Sequence, residues 1–388
     1  MNSDDLAFLT SPAGARLLDD LRAVDLQGDL VRHVTALRKT YSAAQVSAAI
    51  TQAELRRAAV PKFGASASRL FFTADALQQA SDPLIRAYRA DMVRGQQVLD
   101  LCCGIGADAL AFAATNPHVC GIDYDAERIA IARHNAAALG FDHLHFMVDD
   151  VTATRYDADV IFFDPARRHA DGRRIHDVNA YIPPLDTIDK HHAARRLVKA
   201  SPAVDLRQLA GRTCRVQFIS VAGDLKEALL HIDDADGLSA TRIEPDGTRH
   251  HWDAPTTPPD VATDQPADYL IEPDPALIRA GLVRDLAAQI GGALLDPTIA
   301  YITADHAPDS VWCRAWRVLD WMPFNLKKLR AYLRGQGVGT VTVKKRGSAI
   351  TPEALTAGLK LKGDASRTLV LTRHENRPIV MICADYTA

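Results

Sequence analysis

The chain has 388 residues, of which 47% are hydrophobic and 24% are charged. Its 45 Lys and Arg nearly balance its 48 Asp and Glu, so the formal net charge of −3 by itself favours neither a nucleic-acid binder nor a membrane binder. No apolar run is long enough for a membrane span, and the acidic start lacks the pattern of a secretory signal. We therefore expect a cytoplasmic protein of two or more domains, with its six cysteines reduced.

Residues 1–60 are predicted to form a helical N-terminal region. The stretch is rich in Ala and Leu, and both Ser42-x-x-Gln45 and Thr51-x-x-Glu54 fit the capping-box pattern, in which side chains satisfy backbone donors at a helix start. The region carries no catalytic constellation, so we expect it to pack against the next domain or to form part of a lid.

Residues 61–252 are predicted to form an α/β domain, because short apolar runs alternate with helical segments from about residue 96 onwards. Such an alternation indicates a parallel sheet covered by helices on both faces. A hairpin over Thr241–Trp252, turning at Asp246-Gly247, is expected to add an antiparallel edge. The predicted strands are Val98–Leu101, Val119–Ile122, Leu144–Val148, Val160–Phe163, Arg196–Lys199 and Arg215–Val221. The predicted helices are Asp108–Ala114, Ala126–Leu139 and Asp224–His231.

Residues 253–267 are predicted to be a linker, because they are rich in Pro, Asp and Thr and have almost no large apolar residue. Residues 268–388 then form an accessory α+β domain that is long enough to fold alone. Its predicted helices are Ala276–Ile290 and Leu326–Leu333, and its predicted strands are Thr340–Val343, Thr368–Thr372 and Ile379–Cys383.

Acidic residues end four successive predicted strands. Because the carboxyl ends of parallel strands meet at one edge of an α/β sheet, where ligands bind, these acids are expected to line a single site. The first acid precedes a turn containing Gly104 and Gly106, and glycine is needed where the backbone turns tightly and approaches a ligand closely. The acids are Asp100, Asp123, the neighbours Asp149 and Asp150, and Asp164.

The charge of this segment distinguishes between nucleotide ligands. From Asp100 to Asp164 there are eleven Asp and Glu against three Arg, and Cys102 replaces the first glycine of the dinucleotide fingerprint. An acidic field suits a sulfonium cation with an ammonium group and disfavours a diphosphate. S-adenosylmethionine has that charge pattern, whereas NAD does not.

Residues 98–164 resemble the class I S-adenosylmethionine-dependent methyltransferases. The resemblance implies a Rossmann-like, doubly wound and mostly parallel seven-stranded sheet. It also implies that Asp100 and the turn of Cys102, Gly104 and Gly106 hold the methionine part of the cofactor. In the same way, Asp123 would hold the ribose, and Asp150, with Asp149 as its neighbour, would reach the adenine amine.

The end of the fourth strand, Phe163-Asp164-Pro165-Ala166-Arg167, resembles the (Asp/Asn/Ser)-Pro-Pro-(aromatic) signature of methyltransferases that modify exocyclic base amines. The resemblance implies that Asp164 and Pro165 orient the acceptor nitrogen, so that catalysis is mostly positioning. The second proline and the aromatic ring are absent here. Arg167 and Arg168 could stack on a base or hold phosphate, and a strand-end turn with solvated arginines is the alternative.

A segment ahead of the first strand carries a further resemblance. Lys62-Phe63 and Phe71-Phe72-Thr73 resemble the cofactor-covering segment of trimethylguanosine-synthase-like RNA methyltransferases, which would place Phe72 and Thr73 near the cofactor. Core packing of the Phe pair is the alternative.

The C-terminal unit, which contains Val343-Lys-Lys-Arg-Gly347, resembles the THUMP-like domain of a bacterial methyltransferase family. THUMP domains bind structured RNA, chiefly tRNA. Residues 311–388 hold 14 Lys and Arg against 5 Asp and Glu, a net charge of +9. We therefore expect Lys344, Lys345 and Arg346 to contact RNA phosphates, with a solvated basic face as the alternative.

These patterns predict a cytoplasmic S-adenosylmethionine-dependent methyltransferase that acts on a base nitrogen of RNA, either tRNA or rRNA. No histidine or cysteine spacing typical of a metal site occurs, so no metal is expected. One alternative is methylation of a protein or a small molecule. The other is a non-catalytic RNA-binding protein whose methyltransferase domain is degenerate.

Overall fold

A computed structural model describes residues 1–22, 30–169 and 171–384 of the chain. Among these residues no helix is long and apolar enough to cross a membrane. The chain forms two compact units, and the division between them runs through two neighbouring strands, Cys214–Val221 and Asp224–Ile232. The units are Met1–Val216 with Lys226–Asp236, and Gln217–Leu225 with Gly237–Ala388.

The helices of the first unit lie in sequence ahead of its first strand or between its first three strands. Ser42 forms the predicted capping box with Gln45, whereas Thr51 and Glu54 lie inside an uninterrupted helix, so the second predicted helix start is wrong. The helices are α1 (Ser3–Thr10), α2 (Pro12–Arg22), α3 (Leu30–Leu37), α4 (Ala43–Phe63), α5 (Ala74–Gln79), α6 (Pro83–Met92), α7 (Ala107–Ala113) and α8 (Ala126–Leu139).

The first sheet has nine strands in the order β3-β2-β1-β4-β5-β7-β6-β8-β9, so the predicted hairpin extends it beyond seven strands. Strands β1 to β5 pair in parallel, and β7 is antiparallel to β5. The strands are β1 (Gln97–Leu101), β2 (His118–Asp123), β3 (Leu144–Val148), β4 (Asp157–Phe163), β5 (His192–Ala200), β6 (Cys214–Val221), β7 (Asp224–Ile232), β8 (Gly237–Ile243) and β9 (Arg249–Asp253).

The predicted helix over Asp224–His231 is wrong, because this segment is strand β7. Ala222 and Gly223 have φ values of 50° and 85°, which is the geometry of a two-residue hairpin turn. Residues 227–232 are buried at every position, including the polar Glu227 and His231, so the polar residues of this segment do not mark a solvent-exposed helix face as the helix prediction assumes.

The second unit contains a seven-stranded sheet in the order β11-β12-β10-β13-β16-β15-β14. The predicted helix over Ala276–Ile290 is interrupted at Gly281, where φ is 76°, and forms two short helices. The strands are β10 (Tyr269–Pro273), β11 (Ala293–Asp296), β12 (Ile299–Ala304), β13 (Cys313–Pro323), β14 (Val338–Lys345), β15 (Ala365–His374) and β16 (Arg377–Cys383). The helices are α9 (Pro275–Arg279), α10 (Val283–Gln289), α11 (Leu326–Gly335) and α12 (Pro352–Leu359).

The segment predicted as a linker connects β9 to β10. Part of it is held to β11, because Leu294 donates to Ala262 O over 2.9 Å and Asp264 donates to Leu294 O over 2.9 Å. The domain boundaries at residues 60, 252 and 267 stay a prediction.

Candidate active site

The carboxyl ends of β1, β2 and β4 bring the predicted acids to one edge of the first sheet. Strand β1 lies between β2 and β4, so the chain order reverses beside it, which is where open α/β sheets form a ligand crevice. Backbone bonds hold the strand ends together: Asp164 N donates to Leu101 O over 3.2 Å, and Asp149 N donates to Asp123 O over 3.1 Å. The predicted convergence of these strand ends is therefore present in the structure.

Asp100 is a buried carboxylate without a partner. It is 1% exposed, and neither of its oxygens has a hydrogen-bond partner among the described residues. Burial, followed by the charges of Asp108 and Asp164, raises its pKa well above the ordinary value, while Arg89 and Lys199 oppose that rise. A buried carboxylate in this state gains stability from a cation that enters the site.

The turn after β1 passes through three residues in the left-handed region. Cys102, Gly104 and Gly106 have φ values of 64°, 55° and 83°. A Cβ on Gly106 would lie 2.9 Å from the ring of Phe146, so only glycine fits there. Cys102 occupies a conformation that costs a residue with a Cβ about 1 kcal/mol, and it does so where the family pattern has glycine.

Asp123, at the end of β2, is 3% exposed and fixed by two backbone donors. Its Oδ2 accepts from Gly104 N over 2.9 Å and its Oδ1 from Asp125 N over 3.0 Å. Burial raises its pKa, although these two backbone bonds oppose the shift. Each oxygen keeps a second lone pair, so the carboxylate could still accept from ribose hydroxyls.

The two acids that follow β3 are less buried than Asp100 and Asp123. Asp149 accepts a hydrogen bond from the Tyr156 hydroxyl, which holds its pKa below the usual value. Asp150 accepts from both the backbone N and the hydroxyl of Thr152, over 2.8 and 2.7 Å, which likewise lowers its pKa. Both side chains are therefore ionised acceptors at the edge where an adenine amine is predicted.

Lys199, on β5, binds Asp164 and was not found from the sequence. Its Nζ lies 2.7 Å from Asp164 Oδ2, and the exposed fractions of the two side chains are 5% for Lys199 and 25% for Asp164. No other hydrogen bond to the Asp164 side chain is found within residues 1–22, 30–169 and 171–384. One carboxylate oxygen is thus held by the lysine, and the other stays available. The sequence signal that could have indicated Lys199 is its position as a charged residue directly after the apolar pair Leu197-Val198.

A second buried ion network lies beside this edge and was also missed. Arg89, on α6, is fully buried and donates to Asp108 of α7 and, over 2.6 Å, to Glu227 of β7. Its guanidinium lies 4.6 Å from the ring centroid of Phe162. Although burial alone would lower its pKa, the neighbouring carboxylates raise the pKa of Arg89 above its usual range. Asp108 is therefore compensated, in contrast to Asp100.

Phe72 and Thr73 have structural roles in the described chain. Phe72 is fully buried and packs against Phe63 with ring centroids 5.0 Å apart, while Thr73 caps α5. The segment does lie close to the turn after β1, because Asn135 binds both Phe71 and the carbonyl of Ile105. Contact of Phe72 or Thr73 with the cofactor stays a prediction.

Two of the three basic residues predicted to bind substrate in the second unit are paired internally. Lys344 binds Glu272 and lies 4.2 Å from the ring centroid of Trp316, and Arg346 lies 3.5 Å from the same carboxylate. Lys345 is exposed. Trp316 is 4% exposed, so it packs in the core and does not stack on a base.

Arg167 and Arg168 lie in a short hairpin that begins directly after Pro165. Arg168 lies opposite Arg174 in an antiparallel backbone bridge, and the backbone N of Ile175 donates to Arg167 O over 2.9 Å. No group of three or more His, Cys, Asp or Glu that could hold a metal ion is found in the described part of the chain.

Three family models match the chain. One, described as a methyltransferase domain, covers residues 93–189, and one, described as THUMP domain-like, covers residues 313–385. The third, described as a domain of unknown function, covers residues 2–59.

An uncharacterized S-adenosylmethionine-dependent methyltransferase of Mycobacterium tuberculosis (strain H37Rv) is 33% identical to this chain over 336 residues, which are 82% of this chain and 90% of the relative. This chain belongs to the S-adenosylmethionine-dependent methyltransferases. The crystal structure of a proposed methyltransferase from Porphyromonas gingivalis W83 shares the fold, with a TM-score of 0.74 and 22% identity, over 90% of this methyltransferase and 92% of that chain. A shorter match is a 23S rRNA (uracil(1939)-C(5))-methyltransferase of Shewanella amazonensis, 36% identical over 86 residues, 21% of this chain and 19% of the relative.

The cofactor of this methyltransferase is S-adenosylmethionine, and the residues at the sheet edge fit it. The unpartnered carboxylate of Asp100 suits the ammonium group, and the glycine turn leaves room for close approach of a ligand to the backbone. When bound, the cofactor supplies a methyl group on a positively charged sulfur.

Proposed function

We propose that this methyltransferase transfers a methyl group to a base nitrogen of RNA, either tRNA or rRNA. The observation that carries the proposal is the Asp164 carboxylate, which Lys199 holds by one oxygen at the end of the strand beside β1. The other oxygen is available to accept a hydrogen bond from an amine of a base. The THUMP domain-like match at residues 313–385 supports RNA as the substrate.

The residues of the sheet edge divide into a cofactor side and an acceptor side. On the cofactor side, Asp100 and the turn of Cys102, Gly104 and Gly106 hold the methionine part, Asp123 holds the ribose, and Asp149 and Asp150 face the adenine. On the acceptor side, Asp164 and the carbonyl of Pro165 accept from the amine and direct its lone pair at the methyl group. Lys199 fixes the Asp164 carboxylate, so the reaction gains its rate mainly from orientation.

The state of the cysteines favours a nitrogen acceptor over a carbon acceptor. The relative from Shewanella methylates carbon 5 of a uracil, according to its name. A base carbon that is a weak nucleophile needs activation by a covalent nucleophile such as a thiolate. Burial raises the pKa of all six cysteine thiols in this protein, so none is poised as a thiolate.

Radiolabelled methyl transfer onto RNA fractions from a strain lacking the protein tests this function. The unaltered protein should label tRNA or rRNA on a base nitrogen. The variant Asp164→Ala, which removes the accepting oxygen, should lose at least about 100-fold in kcat while its affinity for S-adenosylmethionine, measured by calorimetry, is unchanged. Asp157→Ala is the matched control, because Asp157 begins the same strand at its opposite, exposed end.

The outcomes separate the alternatives. Label in protein or in small molecules but not in RNA would show a different substrate class. Binding of RNA without binding of S-adenosylmethionine would show a non-catalytic RNA-binding protein. If Asp164→Ala abolished cofactor binding and left residual turnover per bound cofactor unchanged, the division of roles proposed above would be wrong.

A further inference from the structure

An arginine-rich hairpin follows the acceptor motif directly. It consists of residues 166–169 and 171–175 and is called the arginine hairpin below. His169 N donates to Arg173 O and Ile175 N to Arg167 O, both over 2.9 Å, and Gly172, with a φ of 83°, closes the turn. The hairpin thus holds its shape by backbone bonds of its own.

The base of the arginine hairpin is anchored in the first unit. Ala166 and Ile182 exchange backbone hydrogen bonds of 2.8 and 3.0 Å. Ile175 and Val178 are 6% and 0% exposed, and Val178 N donates to the side chain of Gln208 over 3.1 Å. Because Ala166 is two residues from Asp164, this anchoring holds the hairpin beside the acceptor site.

Two arginines face each other across the hairpin. Arg168 and Arg174 are directly paired antiparallel partners, so their side chains leave the same face of the hairpin about 5 Å apart at Cβ. Like charges in that position destabilise a hairpin. The acid of the hairpin, Asp171, is bound 2.6 Å away by Arg173 on the other face. Within the described residues, no carboxylate pairs with Arg168 or Arg174; Arg168 donates only to Gly172 O, over 3.2 Å.

We propose that Arg168 and Arg174 bind phosphate groups of the RNA strand that carries the acceptor base. An uncompensated pair of like charges is stabilised by an anion between the two groups, and the planar guanidinium binds phosphate with two parallel hydrogen bonds. The hairpin leaves the sheet directly after the residues that orient the acceptor. A phosphate held there fixes the position of the nucleotide next to the transfer site. Contacts to the nucleic-acid backbone position a strand without depending on its base sequence. This inference rests on RNA being the substrate.

The double variant Arg168→Ala/Arg174→Ala tests the proposal. RNA binding is measured by filter binding of bulk tRNA and rRNA at several salt concentrations, in the presence of S-adenosylhomocysteine. We expect affinity to fall at least about tenfold, with a salt slope shallower by about one unit for each phosphate that the variant no longer neutralises. In methyl transfer, KM for RNA should rise at least about tenfold, while kcat changes less than about threefold and cofactor affinity is unchanged.

The matched control is Arg94→Ala/Arg207→Ala, which removes the same charge from two exposed arginines that are each paired with an aspartate. Its RNA affinity should change less than about twofold. The melting temperature of Arg168→Ala/Arg174→Ala should be equal to or above that of the unaltered protein, because the repulsion is removed; a merely structural pair would give a lower one.

Each result bears on one claim. A double variant with the RNA affinity and salt slope of the unaltered protein overturns the hairpin proposal even if the enzyme methylates RNA. Binding that depends on the hairpin without any methyl transfer to RNA overturns the proposed function and leaves the phosphate site standing. The charge-retaining variant Arg168→Lys/Arg174→Lys should recover the salt slope but only part of the affinity, since lysine lacks the planar fork.

Discussion

The buried carboxylate of Asp100 makes the stability of this methyltransferase depend on pH in a defined direction. The side chain is 1% exposed, has no hydrogen-bond partner among the described residues, and has a pKa raised well above 3.8 by burial and by two neighbouring acids. The folded protein therefore keeps a proton that the unfolded chain releases above its own pKa. Its unfolding free energy should fall as pH rises through that window, by up to about 1.4 kcal/mol per pH unit.

Asp100→Asn removes this titration. Without cofactor, the unfolding free energy of the variant should exceed that of the unaltered protein by a margin that grows as pH rises through this window. The same change removes the carboxylate proposed to hold the cofactor ammonium, so affinity for S-adenosylmethionine should fall at least about tenfold. Urea denaturation at a series of pH values measures the first effect, and calorimetry at the highest pH measures the second.

Asp108→Asn is the matched control, because Asp108 is also buried but has the opposite shift. Although burial opposes it, Arg89 holds the pKa of Asp108 below its usual value. Its ionised form thus stabilises the fold above its unfolded pKa, and this stability is lost as pH falls. At neutral pH, Asp108→Asn should cost about 3–5 kcal/mol, since it leaves a buried arginine with one partner fewer. An Asp100→Asn variant that is less stable than the unaltered protein at high pH, or that binds the cofactor normally, would refute the reasoning.

Three further substitutions test single features of the structure. Lys199→Met, which removes the cation beside the acceptor-site carboxylate, should lower kcat about 10- to 100-fold in steady-state assays with little change in cofactor affinity, and Lys199→Arg should recover part of it. Cys102→Val should lower the unfolding free energy by at least about 1 kcal/mol in thermal denaturation, because β-branched residues avoid a φ of 64°, whereas Cys102→Gly should not lower it. Gly339→Ala should destabilise the second unit by at least about 2 kcal/mol, since its Cβ would overlap Gly363 O, whereas Gly335→Ala, with no atom within 4 Å, should not.

The sequence predicts the convergence of the acidic strand ends because its signals are local. Each acid follows an apolar run whose length and flanks mark a parallel strand, so Asp100, Asp123 and Asp164 can be placed at one edge without knowledge of the packing. The prediction for strand β7 is wrong because both faces of the strand are buried from residue 227 onwards, so Glu227 and His231 do not mark an exposed polar face.

The ion pairs of the site could not be predicted, because their partners are far apart in the chain. Lys199 and Asp164 are separated by 35 residues, and Arg89 and Glu227 by 138. A local pattern shows each of these residues only as a charge beside an apolar stretch. Which charge neutralises which acid depends on strand order, and strand order depends on the whole sheet.

The pairing of cations within the second unit bears on which residues could hold phosphates of the proposed RNA substrate. The net charge of +9 over residues 311–388 favours the second unit. Several of its cations are engaged by their own unit: Arg330 and Arg334 donate to carbonyls of Gly358 and Lys360, and Lys344 binds Glu272. A bound partner offsets part of the positive electrostatic potential of such a cation. Arg168 and Arg174, which have no acidic partner among the described residues, keep theirs. The local balance of charge and partner, more than the sum along the chain, therefore supports the proposal that the arginine hairpin binds the RNA backbone.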